Sequence, residues 1–214
     1  MGLTFGNIKM KLLKSSAILI LFASSSVHAG MINIIDFTSN DWSGVGQNVV
    51  DEFTFGDIKL SSSGGNLTFN DSDSAGCSAA GVPGLACMGD GIGISNDEIT
   101  QGGGQILTIS FLGGPVDILD VHLLDLFASE KSGEIAIING TSSAALGGSA
   151  NDAGGYWETG LGFAGVTSIT LYGNDDKFSD YSLARIAYKV PEPTVIALFA
   201  VGLLGLGFAR RRKA

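Results

Sequence analysis

Positive charge is scarce in this chain. Its 214 residues hold 12 lysines and arginines against 21 aspartates and glutamates, with two histidines, two cysteines and four prolines. The few bases are unevenly placed: residues 1–29 carry three lysines and no acid, residues 30–190 carry five bases against 20 acids, and residues 191–214 carry four bases against one acid. The middle therefore stands at −15 between two cationic ends. A surface of that sign repels a phosphate backbone, which excludes nucleic acid as a partner of the middle. The shortage of proline excludes a collagen or polyproline design, although glycine supplies 27 of the 161 residues from 30 to 190. Glycine at that density between short apolar runs points to many turns joining short strands. The roughly 160 residues of the middle are enough for one domain with a real core.

Long apolar runs are confined to the ends. Lys9, Lys11 and Lys14 precede the run Ala17-Ile18-Leu19-Ile20-Leu21-Phe22-Ala23, and small residues lead to Val27-His28-Ala29. A cationic start, a short apolar stretch and small residues at the −3 and −1 positions form a secretory signal peptide over residues 1–29, so signal peptidase is an expected partner and Gly30 the expected mature terminus. Met10 to Ala29 alone carries the whole pattern.

The two cysteines agree with export. Cys77 and Cys87 lie in a glycine-rich stretch able to close a small loop, and in an oxidising compartment a disulfide is the natural expectation. Two cysteines with no histidine nearby cannot fill the tetrahedral shell of zinc.

At the other end, Pro191-Glu192-Pro193 is followed by the apolar run Thr194 to Ala209 and then by Arg210-Arg211-Arg212-Lys213-Ala214. Sixteen apolar residues make a helix of about 24 Å, which spans a membrane with snorkelling flanks or local thinning. The terminal cations stay cytoplasmic and place the body outside, while the prolines hold the junction extended and display Glu192. These three parts, in this order, resemble the PEP-CTERM sorting signal. The resemblance implies recognition by an exosortase, a membrane-embedded cysteine enzyme of Gram-negative bacteria often encoded beside exopolysaccharide genes. It further implies anchoring in the inner membrane, cleavage near Pro191-Glu192-Pro193, and passage to the cell surface or matrix. In that chemistry the chain is the substrate.

Between the ends, alternation predicts strands at 32–38, 49–55, 58–62, 66–70, 105–111, 116–119, 121–127, 134–139, 166–172 and 181–188, with 71–104 and 140–155 as long loops. No stretch keeps a 3.6-residue apolar stripe, so helices are minor. The expected fold is all-β, a two-sheet sandwich of jelly-roll type over 30–189, with an N-terminal signal helix and a C-terminal transmembrane helix in the sorting signal, 190–214.

Candidate chemistry in the body is thin. His122 is its one histidine and sits in an alternating strand, and no serine lies in a nucleophile-elbow sequence, so a Ser-His-Asp hydrolase is disfavoured. Asp97, Glu98, Asp117, Asp120, Asp125, Glu134 and Glu158 are available as paired carboxylates, but spacing selects no two of them. Two oxygen-rich clusters are candidates for structural calcium: Asp90 with Asn96, Asp97 and Glu98, and Asn174, Asp175 and Asp176 with Asp180. Trp42, Tyr156, Trp157 and Tyr172 are the aromatics that a sugar-binding surface could use, with the loop pair Tyr156 and Trp157 the better placed. The expected function is that of an exported, exosortase-processed surface or matrix protein, binding or structural rather than enzymatic, with exopolysaccharide as a candidate ligand. The alternative is a secreted hydrolase acting on matrix polysaccharide.

Overall fold

The alternation of Ile106-Leu107-Thr108-Ile109-Ser110-Phe111 becomes a strand that buries Leu107, Ile109 and Phe111 and leaves the three residues between them half-buried or exposed. That pattern recurs through a computed structural model describing residues 31–47, 49–70, 77–78, 81–95, 98–100, 104–127, 134–140, 143–147, 155, 157–174, 179–191 and 203. The signal helix and the tail helix of the sequence reading lie outside these residues, Leu203 excepted. Among the described residues no helix is long and apolar enough to cross a membrane.

The described strands are β1 (Ile32–Asp36), β2 (Glu52–Phe55), β3 (Ile58–Ser63), β4 (Leu67–Asn70), β5 (Gly91–Ile94) and β6 (Ile106–Phe111), followed by β7 (Val116–Leu124), β8 (Ile135–Asn139), β9 (Ser143–Gly147), β10 (Trp157–Val166), β11 (Ser168–Gly173) and β12 (Ser182–Lys189). A 3-10 turn at Asn40–Trp42 and a short helix, α1 (Ser43–Gln47), complete the described elements. Among the described residues helices are therefore minor, as the missing apolar stripe predicts.

The strands form two six-stranded antiparallel sheets. In the first, the order is β10-β7-β12-β5-β4, and β1 also pairs with β12. In the second it is β2-β3-β6-β11-β8-β9. β12 is central to the first sheet, flanked by β7 on one side and by β1 and β5 along the other. One apolar core joins both sheets, with Leu60, Leu107, Ile109, Ile138 and Leu171 from the second meeting Ile92, Ile118, Leu123, Leu183 and Ile186 from the first. Trp42 belongs to this core, 2% exposed and 4.7 Å from Phe37 between ring centres.

Two departures from the sequence reading stand out. β5 and β9 fall inside the long loops expected at 71–104 and 140–155, and β10 fills the stretch before 166 where no element was expected. The separate strands expected at 116–119 and 121–127 are one continuous strand, β7.

Candidate functional site

Antiparallel register sets one polar row on the first sheet. Asp36 of β1 pairs with Arg185 of β12, which pairs with His122 of β7, which pairs with Glu158 of β10. Residues directly opposite each other share a face, so an acid, a base, an imidazole and an acid lie side by side across four strands. The His122 Nε2 atom is 3.7 Å from a Glu158 oxygen. His122 is 3% exposed, and burial, reinforced by the Arg185 charge, holds its pKa below the ordinary imidazole value, while Glu158 and Asp120 pull it the other way. The imidazole is thus predominantly neutral at pH 7. Asp120 acts on the same ring, so two of the seven carboxylates considered from sequence converge on His122.

Two other acids of that group are engaged elsewhere. Asp117 lies 3.5 Å from the Lys189 ammonium and accepts the Gly165 N–H. Glu134 accepts the Phe127 N–H.

Beside this row the cysteine pair closes a loop. Cys77 and Cys87 are joined as a disulfide, with Cα atoms 5.5 Å apart. The bridge packs with Leu85 on Leu124 and Ala184, a small apolar cluster separate from the main core. Two aspartates fix the loop. One oxygen of Asp36 accepts the N–H and hydroxyl of Thr38 and the other accepts the Ala86 N–H at 2.7 Å. The Thr38 hydroxyl in turn accepts the Cys87 N–H, and the Asp90 carboxylate accepts the Cys77 N–H at 3.0 Å.

Asp90 is 1% exposed and turned towards the disulfide loop. The Ile99 N–H donates to the Tyr181 carbonyl, so the residues next to Glu98 and Asp180 meet, and the two oxygen-rich segments run together at this point. Asn96, Asp97, Asp175 and Asp176 lie outside the described residues. The Asn174 backbone N–H donates to the Ile135 carbonyl. Among the described residues no group of three or more His, Cys, Asp or Glu side chains is disposed to hold a metal ion.

Of the aromatics considered for sugar contact, Trp42 packs in the core, and the half-buried Tyr172 accepts a hydrogen bond from the Asn139 amide at 3.1 Å. Trp157 opens β10 at the register position of Leu123, and Tyr156 lies outside the described residues. Sequence reading missed Asp36 and Arg185 as site residues. The signal for Asp36 was available in the Asp-Phe-Thr spacing, which favours a side chain bonding the backbone two residues on. Nothing local marks Arg185, because its place depends on pairing with strands far away in the chain.

The chain leaves the body at Val190 and Pro191, both exposed, directly after β12. No curated protein and no solved structure matches the chain. The last strand runs into the tripartite tail without a linker, and there the comparison is specific: residues 189–213 match the family model of the PEP-CTERM protein-sorting motif.

Proposed function

We infer that the protein is exported, held at the inner membrane by its tail, and released by exosortase cleavage near Pro191-Glu192-Pro193 as a cell-surface or matrix protein. The observation that carries this is the sorting motif over residues 189–213, which begins as the last strand ends. A cut at the motif leaves the body whole. Export of a variant with Pro191, Glu192 and Pro193 all replaced by alanine tests it: the variant should accumulate at full length in the membrane fraction, and unchanged release of the body overturns the reading.

For the body we propose a jelly-roll sandwich that binds or builds rather than catalyses. Strand order supports the jelly roll. Taking β5 to β12 as eight successive strands, the first, eighth, third and sixth lie side by side in one sheet and the second, seventh, fourth and fifth in the other, which is the arrangement of two Greek keys. The fate of the buried polar side chains supports the non-catalytic role. Thr38, Asp90, Glu134, Ser179 and Ser182 all bond backbone groups, tying loops to strands. Around the buried His122, the exposed Glu158 and the half-buried Arg185 and Asp120 present a mix of charged donors and acceptors at the sheet surface, which suits a hydroxyl-rich polymer such as exopolysaccharide.

A further inference from the structure

We propose that the end of the sandwich from which the tail departs is a membrane-contact surface that seats the body on the lipid until the tail is cut. This rests on the reading of the tail as a membrane anchor and adds a role for the folded domain itself.

Three observations converge. First, β1 and β12 pair with Ile32 opposite Lys189, so both ends of the body emerge at one edge. The expected signal-peptidase site at Ala29 lies three residues before Ile32, and the apolar run at Thr194 begins four residues after Val190. Four extended residues reach at most about 14 Å. This end is therefore tethered next to the bilayer, whichever way the rest of the domain points. Second, large exposed apolar side chains gather there: Met31, Ile32, Ile34, Phe55, Leu112 and Val190 are each 47% exposed or more. Ile34 and Phe55 line one groove together with Asp36 and Asp41, Val190 and Phe111 line the next together with Asp57, and the buried Ile58 borders both, so the two grooves adjoin. The Leu112 N–H donates to the Asp57 carbonyl, which fixes its turn to the same edge. A contiguous apolar patch of this kind on an otherwise acidic domain marks a contact surface. Third, the tether makes lipid the occupant. A body at −15 gains nothing electrostatically from an anionic surface, so the attraction has to be apolar, and the short link gives the patch an effective concentration at the bilayer that no soluble partner matches.

The seating has a consequence for processing. With the patch in the interface, Val190 and Pro191, where the body gives way to the cleavage motif, are kept at headgroup depth.

The test uses the full chain reconstituted in phosphatidylcholine nanodiscs containing lipid brominated near the headgroup. Leu112→Trp places a reporter in the patch. Val49→Trp places one at the opposite end, where Val49 is 88% exposed and the neighbouring Val50 carbonyl accepts the Leu67 N–H. The six-residue strands β3 and β6 run between the two sites and set them about 20 Å apart. The expected result is that bromination lowers Leu112→Trp emission about twofold relative to the parent, leaves Val49→Trp unchanged, and has no effect once Ile34→Asp and Phe55→Asp are added. All four substituted sites are exposed, and unchanged circular dichroism confirms folding. If the chain stays in the disc but neither reporter is quenched, the proposal falls and the anchor reading stands. If the chain does not stay in the disc, both fall. If Leu112→Trp is not quenched and a Leu112→Cys variant, treated with an oxidant, forms a disulfide between two copies, the patch is a self-association surface and the proposal falls.

Discussion

At the scale of single residues, the fold depends on polar side chains that replace missing backbone partners. Asp90 is the clearest. It is buried, and its carboxylate accepts the Cys77 N–H, so Asp90→Ala leaves that donor unsatisfied inside the protein. The expected loss is about 1–3 kcal/mol in urea denaturation, with Asp90→Asn retaining part of it. A loss below about 0.5 kcal/mol, the range of ordinary surface substitutions, contradicts that role. His122 supplies a pH dependence whose sign follows from its burial. Its folded pKa lies below the ordinary value of 6.5, so below that pH the unfolded chain binds a proton that the folded chain resists. The contribution of His122 to stability is present in full above 6.5 and is lost as pH falls towards the depressed folded value. Relative to a His122→Gln variant, the parent should therefore lose stability on going from pH 7 to pH 5.5. Unfolding curves at matched pH values check this, and a constant difference between the two proteins across the range refutes it. Asp90 was visible in the sequence as an acid in a glycine-rich loop, a setting that cation binding and backbone anchoring share. The chain alone does not say which oxygen faces a cation and which faces an N–H.

At the scale of elements, alternation made the well-patterned strands legible. β1, β3, β4, β6, β8, β11 and β12 lie within a few residues of their expected positions. The strands that escaped are the ones in which glycine or small residues replace the apolar signal. β5 reads Gly91-Ile92-Gly93-Ile94, and Gly91, at φ +102, comes so close to β12 that a Cβ there would lie 2.4 Å from the Leu183 carbonyl oxygen. Its glycine is required by backbone approach inside the sheet, whereas local reading takes it for a turn. β10 contains Gly160, Gly162 and Gly165, and its pairing with β7 shifts register twice, so its alternation is broken by bulges. The cysteine loop is the element whose contribution can be isolated. It closes across ten residues of sequence, and loop-closure entropy puts its stabilising effect at about 2–3 kcal/mol. Replacing Cys77 and Cys87 together by serine should lower stability by that amount. Amide exchange should rise first in the loop and at Leu124 and Ala184, which the bridge covers. Uniform destabilisation with no local rise would mean that the bridge acts only through the unfolded chain.

At the scale of the molecule, the boundary between fold and sorting signal falls at one point in the chain. β12 pairs with β1, β5 and β7, and its Leu183 and Ile186 are fully buried in the core shared by both sheets. Removing it exposes the first sheet along two strand edges and opens the core, a loss beyond the 5–15 kcal/mol that holds a domain of this size together. Beyond Lys189, by contrast, Val190 and Pro191 are exposed. A processing cut at the motif thus falls just after the last residue the fold needs. The expectation is that an exported chain ending at Val190 gives a folded body with the melting temperature of the detergent-solubilised full chain. A chain ending at Tyr181 should fail to fold. Thermal melts by circular dichroism on the two truncations decide it. If the chain ending at Val190 melts several degrees lower, the tail contributes to the fold and cleavage would weaken its own product. If the chain ending at Tyr181 still melts cooperatively, β12 is not the closing strand that its pairings indicate.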